Sequence, residues 1–308
     1  MSDCVLLFAG QGAQKVGMGM DLFENSPIAK DLFECADDVL GRSLSKIAFE
    51  GPEEELTKTA NCQPVLFVHG LAMWSVLKAA CPHLNPVAAA GLSLGEMTAH
   101  TAAGSFTFEE GLRVVARRGQ LMDEACAETE GAMAAMVGGD EATVRALAEE
   151  CGVDVANLNC PGQIVLSGTV AGIDQAVAGA KERKIKLAKK LKVAGAYHSR
   201  LMAGAEAKLG PVLAEAEVTS PRFPVISNQR AAAVTEPADI RESLEKQVTG
   251  SVRWVESIEF LRGQGQKLFL ELGPGKVLAG LMTRIDKGAT IETAGDWDSL
   301  QAMIEKVK

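Results

Sequence analysis

The sequence predicts an α/β protein with a mostly parallel sheet and an inserted βαββαβ unit of ferredoxin-like pattern. Three observations predict it. In the first and last thirds, short apolar runs bounded by glycine or proline alternate with longer stretches of helical composition. Between about 128 and 194 the order changes to strand, helix, strand, strand, helix, strand. The 308 residues, 47% hydrophobic and 23% charged, suffice for a large packed domain carrying a small one. The expected division is residues 1–127 with 195–308 for the large part and 128–194 for the small subdomain.

Each element has its own reason. Residues 4–9, Cys-Val-Leu-Leu-Phe-Ala, have the length and composition of a buried strand and end in the loop Gly10-Gln11-Gly12. Helical composition follows over 27–40, 43–50 and 64–80. Residues 86–90 form a strand of small side chains, 91–95 a sharp turn, and a helix runs from about 96. In the middle third, 132–137 reads as a strand and 140–150 as a helix capped by Asp140. Strands at 153–158 and 164–167 are joined through Asn159-Cys160-Pro161-Gly162. A helix at 169–183 and a strand at 185–193 complete the unit. Strands at 225–227 and 267–272 then alternate with helices again.

Composition excludes several function classes. With 31 basic and 40 acidic residues the net charge is −9, which lacks the basic footprint of a nucleic-acid binder. The longest apolar stretch, 62–81, is interrupted by Gln63, His69 and Lys78, so no membrane span is expected. The Met-Ser-Asp start has no basic region and precedes only a short apolar run, unlike a signal peptide. Seven cysteines, Cys4, Cys35, Cys62, Cys81, Cys126, Cys151 and Cys160, show no C-x-x-C spacing. An odd number in that pattern predicts neither a disulfide framework nor a metal site, but buried thiols in a reducing cytoplasm.

The strongest chemical signal is Gly91-Leu92-Ser93-Leu94-Gly95, a G-x-S-x-G pentapeptide between a predicted strand and a predicted helix. The glycines permit the tight turn, and the helix N-terminus behind Ser93 offers amides to a developing oxyanion. A serine nucleophile needs a base, and the chain has four histidines. His69 lies in an apolar helical stretch and His83 in a Cys-Pro-His loop. His100, seven residues after Ser93, would lie ~10 Å along a helix. His198, in the loop Gly195-Ala196-Tyr197-His198-Ser199 beside the small subdomain, is the best-placed base. The order Ser, acid, late His of an ordinary hydrolase triad fits awkwardly, because no histidine follows His198. Arg117 and Arg118 share a predicted helix, where one could hold a substrate carboxylate. Gly10-Gln11-Gly12 fails as a dinucleotide fingerprint because Lys15 replaces the third glycine. Gly273-Pro274-Gly275-Lys276 lacks the Ser/Thr of a P-loop and reads as a strand-to-helix turn.

A set of motifs occurs in order along nearly the whole chain. They are Gly10-Gln11-Gly12-Ala13-Gln14, the elbow extended to Glu96, Arg118-Gly119-x-x-Met122 and Gly131-Ala132-Met133-Ala134-Ala135. Asn157-x-Asn159-x-Pro161-Gly162-Gln163, Tyr197-His198-Ser199 and Gly273-Pro274-Gly275 follow. As a set they resemble the malonyl-CoA:acyl carrier protein transacylase family of fatty-acid synthesis. The resemblance implies an α/β-hydrolase-like core with the inserted ferredoxin-like subdomain. It implies Ser93 as nucleophile and His198 as base, with main-chain carbonyls rather than an acid orienting the histidine and Gln247 beside it. Gln11 and Leu94 would give backbone N–H groups to the oxyanion, Arg118 would bind the malonyl carboxylate, and Asn159 would lie near the entering substrate. Leu92 stands where the family commonly has histidine.

The implied reaction passes malonyl from malonyl-CoA to Ser93 and then to the phosphopantetheine thiol of holo acyl carrier protein, with no bound cofactor or metal. Tyr197 would crowd a methylmalonyl group. A monomeric cytoplasmic enzyme is expected, with an acidic carrier protein docking near 181–192, where seven of twelve residues are basic and one is acidic. The competing readings are a serine thioesterase or esterase, another acyltransferase of the same fold, and a non-catalytic carrier-binding module. The presence of both Ser93 and His198 speaks against the last.

Overall fold

The computed structural model describes residues 2–308. The first third contains β1 (Ser2–Phe8), α1 (Met20–Asn25), α2 (Pro27–Leu40), α3 (Leu44–Glu50), α4 (Glu53–Thr57) and α5 (Thr59–Ala80). It continues with β2 (Leu84–Gly91), α6 (Leu94–Ala103) and α7 (Phe108–Glu128). The middle holds β3 (Gly131–Val137), α8 (Glu141–Glu150), β4 (Asp154–Cys160), β5 (Gln163–Thr169), α9 (Val170–Gly179) and β6 (Leu187–Lys190). After a short turn of 3-10 helix come α10 (Ala203–Glu215), β7 (Val225–Ile226), β8 (Ala233–Val234), α11 (Pro237–Lys246) and α12 (Trp254–Gly263). The chain ends with β9 (Leu268–Leu272), α13 (Val277–Ile285), β10 (Thr290–Ala294) and α14 (Trp297–Val307).

Six strands form one sheet in the order β10-β9-β1-β2-β7-β8, parallel except for the β7–β8 pair. β1 shows why its run is apolar throughout. Cys4, Leu6 and Phe8 enter one core, which includes side chains of α5, while Val5 and Leu7 enter a second core with α12 and α13. A central parallel strand covered on both faces needs hydrophobic residues in both alternating sets.

The middle third forms a separate antiparallel sheet, β4-β5-β3-β6, with its own core of Met136, Leu147, Leu158, Ile164 and Ile173 among others. Its strands and helices follow the order expected from the sequence. β4 is tied to the other part of the chain by backbone bonds, Leu158 N–H to Val252 C=O at 2.9 Å and Val252 N–H to Ala156 C=O at 2.8 Å. Asn157 and Asn159 of β4 share a cavity with Gln11 and Ser93, which follow β1 and β2.

Some expected boundaries shift. α5 begins at Thr59 rather than at Pro64 and carries the proline inside it. Pro64 leaves the Ala60 carbonyl without its helical donor, and the Arg42 guanidinium supplies one instead at 2.8 Å. Asn159 and Cys160 belong to β4, so Pro161-Gly162 alone makes the turn. The second middle helix stops at Gly179 and β6 spans only 187–190. β8, two residues long, and β10, whose run Thr-Ile-Glu-Thr-Ala is largely polar, had no apolar signal strong enough to predict them. No helix among the described residues is long and apolar enough to cross a membrane. All seven cysteines are unpaired.

Candidate active site

The adjacent parallel strands β1 and β2 pair Phe8 with Gly91 at their carboxyl ends. The Gln11 loop and the Ser93 turn therefore emerge side by side, at the edge of the sheet where α/β proteins place their sites. The two glycines of the turn are sterically demanded. A Cβ on Gly91 would lie 2.0 Å from the Gly95 carbonyl group, and one on Gly95 would lie 2.2 Å from the Phe8 oxygen. Ser93 itself sits at φ 56° and ψ −107°, a sparsely populated region for a residue with a side chain. It is the residue before α6, so Leu94 opens the helix and its N–H has no partner within it.

The structure brings Ser93, His198, Arg118 and Gln247 together. His198 Nε2 lies 2.8 Å from Ser93 Oγ. His198 Nδ1 lies 2.9 Å from the Gln247 carbonyl and 3.2 Å from the Gly250 carbonyl. Two carbonyls can only accept, so Nδ1 carries the proton and Nε2 is left to accept from the serine hydroxyl. Burial, and then the neighbouring Arg118 cation, pull the His198 pKa down to about 4, so the ring is neutral at physiological pH.

Arg118 is 1% exposed. Its Nη1 donates to Gln63 Oε1 at 2.7 Å, and its Nη2 donates to Gln247 Oε1 at 2.9 Å and Ser93 Oγ at 3.2 Å. Burial draws its pKa to about 10, which leaves it charged at neutral pH. Below it lies Glu96, fully buried, whose Oε2 accepts from Gln247 Nε2 at 2.6 Å and Asn228 N–H at 2.8 Å. Desolvation raises Glu96 to about 7 against those hydrogen bonds and the Arg118 charge.

A cavity of about 470 Å³ opens over Ser93 and His198. Gln11, Leu92, Tyr197, Asn157 and Asn159 line it, with Val277 and Leu281 from α13 on one wall and Lys192, Val193 and Ala194 at its edge. Buried Glu271 fixes that wall, because its carboxylate accepts from Leu278 N–H at 2.9 Å and Ala279 N–H at 2.8 Å in the first turn of α13. Asn159 presents a buried Oδ1 with no partner. Tyr197 is held by Thr59, with 2.7 Å between their hydroxyls. Arg118 and Gln247 lie under the floor beside Ser93 rather than on the open wall.

The other sequence candidates fall elsewhere. His69 and His100 are fully buried, and burial lowers them to about 4 and about 3. His83 reaches the Val307 carbonyl at 2.7 Å. Arg117 is half-buried on α7 and pairs with Glu124 at 3.1 Å. Gln63, Asn228 and the Gly250 carbonyl carry no motif in the sequence, and Glu96 stands there only at the end of one. A carboxylate in the first turn of an otherwise apolar helix, and an asparagine just beyond a parallel strand, were the available signals.

A serine hydroxyl hydrogen-bonded to a neutral imidazole under a cavity is an arrangement that can carry an acyl group, and the acyl transferase domain family model matches residues 5–301. The chain is 42% identical over its whole length to the malonyl CoA-acyl carrier protein transacylase of Bacillus subtilis, covering 98% of that protein. It is 38% identical to the Haemophilus influenzae protein of that name, covering 99% of each. The solved transacylase of Coxiella burnetii superposes with a TM-score of 0.95 at 35% identity, over 99% of this chain and 98% of that one. A malonyl-transacylase solved in complex with a type II polyketide acyl carrier protein also gives 0.95, at 36% identity, over 99% of this chain and 100% of that one. The chain belongs to the malonyl CoA-acyl carrier protein transacylase family and is an acyltransferase.

Proposed function

We propose that this protein moves malonyl from malonyl-CoA to the phosphopantetheine thiol of acyl carrier protein by way of malonyl-Ser93. The observation that carries this reading is the placement of Ser93 Oγ 2.8 Å from His198 Nε2 and 3.2 Å from Arg118 Nη2. His198 takes the hydroxyl proton as Oγ attacks the thioester carbonyl. The oxyanion is met by the N–H groups of Gln11 and Leu94. The C–S bond breaks, and coenzyme A leaves as its thiol with the proton returned by His198. The carrier thiol then gives its proton to His198 and attacks the ester, and Ser93 is regenerated. No cofactor or metal takes part.

Arg118 selects the acyl group. Its guanidinium hydrogen-bonds Ser93 Oγ directly and is fixed from behind by Gln63 and Gln247. A malonyl carboxylate folded back beside the ester meets a charge already desolvated, which acetyl leaves unpaired. Asn159 offers its unpartnered Oδ1 to the entering substrate, and Tyr197 narrows the space for a branched acyl group. Leu92 makes this wall more apolar than the histidine common in the family.

The antiparallel strand order β4-β5-β3-β6 supports reading 128–194 as a ferredoxin-like subdomain inserted in an α/β-hydrolase-like core. An acidic carrier protein docks on the exposed lysines of 181–192, which lead to Lys192 at the cavity edge. We read the protein as a monomer, and its unpaired thiols suit a cytoplasmic enzyme of fatty-acid synthesis. Initial rates with both substrates varied test the reading. Parallel double-reciprocal lines are expected, and intersecting lines would contradict the covalent intermediate.

A further inference from the structure

We infer that Asn228 is a positioning residue that holds the nucleophile turn in its reactive shape. The inference rests on the reading of Ser93 as nucleophile. β7 pairs in parallel with β2 through Val225 and Ala89, so Ser227 and Asn228 follow directly alongside the turn at 91–93. The Asn228 side chain is wholly buried and spans that turn. Its Oδ1 accepts from Ser93 N–H at 2.6 Å, and its Nδ2 donates to the Gly91 carbonyl at 2.8 Å. One carboxamide thus satisfies a donor and an acceptor on either side of Leu92, and only one orientation of the amide can do both.

Asn228 is itself fixed from both main-chain ends. Its N–H donates to Glu96 Oε2 at 2.8 Å, and its carbonyl accepts from Arg253 N–H at 2.9 Å. Gln247, whose carbonyl orients His198, bonds the same Glu96 oxygen and also donates to the Ser93 carbonyl at 3.0 Å. The two halves of the Ser93–His198 pair therefore share one buried anchor. A serine at positive φ keeps that conformation only where its surroundings over-determine it. In this turn the direct bond to the Ser93 amide comes from Asn228.

The test measures single-turnover transfer of malonyl from malonyl-CoA to the enzyme, by intact mass, for Asn228→Ala and Asn228→Asp. Loss of the strap lets Ser93 Oγ drift, and a displacement of ~1 Å is worth about 100-fold in rate. Asn228→Ala is expected to acylate about 100-fold more slowly, with half-saturation by malonyl-CoA changed less than threefold, because Arg118 keeps its Gln63 anchor. Asn228→Asp supplies a readout that a merely structural role would not move. Ionised, the new carboxylate accepts from Ser93 N–H but cannot donate to Gly91. Protonated, it regains the donor. Gln247 Nε2 lies 3.4 Å from the Asn228 side-chain oxygen, Glu96 accepts from the Asn228 N–H, and Arg118 and His198 stand one residue further off, each bonded to Gln247 and Ser93.

The ratio of the Asn228→Asp rate to the wild-type rate should therefore rise at least tenfold as pH falls from 8 to 5.5. Taking the ratio removes the pH dependence of the wild-type reaction and leaves the coupled titration of the new carboxylate with Glu96 beside it. A soluble Asn228→Ala protein acylating within threefold of wild type, or an Asn228→Asp ratio flat with pH, would overturn the inference. If Ser93→Ala is inert in the same assay, those results remove the strap alone. If Ser93→Ala still acylates at the wild-type rate, the nucleophile reading falls and the strap with it.

Discussion

At the scale of single residues the site is an exercise in desolvated charge. Ser93 and His198 both stand at φ 56°, two of only four non-glycine residues with positive φ among those described. Beneath them Arg118 and Glu96, of opposite formal charge, are both buried. Removing one partner of such an arrangement exposes the other's desolvation cost. Arg118→Ala should lower kcat/KM for malonyl-CoA by about 10- to 150-fold, the worth of a hydrogen bond to a charged group. Acetyl-CoA makes no such bond and should lose only what removing the Arg118 contact with Ser93 Oγ costs both thioesters, at least about tenfold less. Competition between the two thioesters measures this, and equal losses would contradict the carboxylate role. Ser93 was legible because G-x-S-x-G is local, and His198 because few histidines compete. Asn228 was not, since it meets Ser93 from 135 positions away, a distance that only the β2–β7 pairing closes.

At the scale of elements, β6 carries the proposed carrier-protein contact. It is an edge strand, paired only with β3. Exposed lysines on such an edge guard against strand-to-strand association whatever else they do. Lys190 is already engaged by Asp174 at 2.6 Å, whereas Lys186 and Lys189 are exposed and form no ion pair among the described residues. The double change Lys186→Glu and Lys189→Glu should raise KM for acyl carrier protein about tenfold or more at low salt, an effect that fades as salt screens it. Malonyl-CoA acylation of Ser93 should stay the same. An unchanged carrier KM would move the contact elsewhere. The lysine run was plain in the sequence, but the pairing of Lys190 with α9 needed the fold. Similarly, Pro64 marked a helix start by every local rule, and only the distant Arg42 explains why α5 begins five residues earlier.

At the scale of the molecule, buried ionisable groups set the response to acid. Burial holds His69, His100 and His198 at about 4, 3 and 4, against a usual 6.5. Below pH 6.5 the unfolded chain binds protons that the folded chain refuses, so these groups destabilise the fold as pH drops. Glu96, held at about 7, and Glu271, also raised, act oppositely, because the folded chain keeps protons that an unfolded carboxyl gives up above 4.5. The three histidines outnumber the two carboxyls, so stability falls as pH drops from 6.5 to 4.5. Urea unfolding across that range should show falling stability, and a flat or rising curve would contradict the balance. The two sheets were legible at this scale because their hydrophobic patterns differ. The seam between β4 and Val252 was not, since it is made by backbone groups that leave no mark on residue type.

The most direct test is the intact mass of the protein after malonyl-CoA, followed by addition of holo acyl carrier protein. The account predicts a single malonyl adduct on Ser93, absent from Ser93→Ala, that moves to the carrier thiol. An adduct that decays to free malonate at one rate with or without the carrier would contradict it and make the protein a thioesterase.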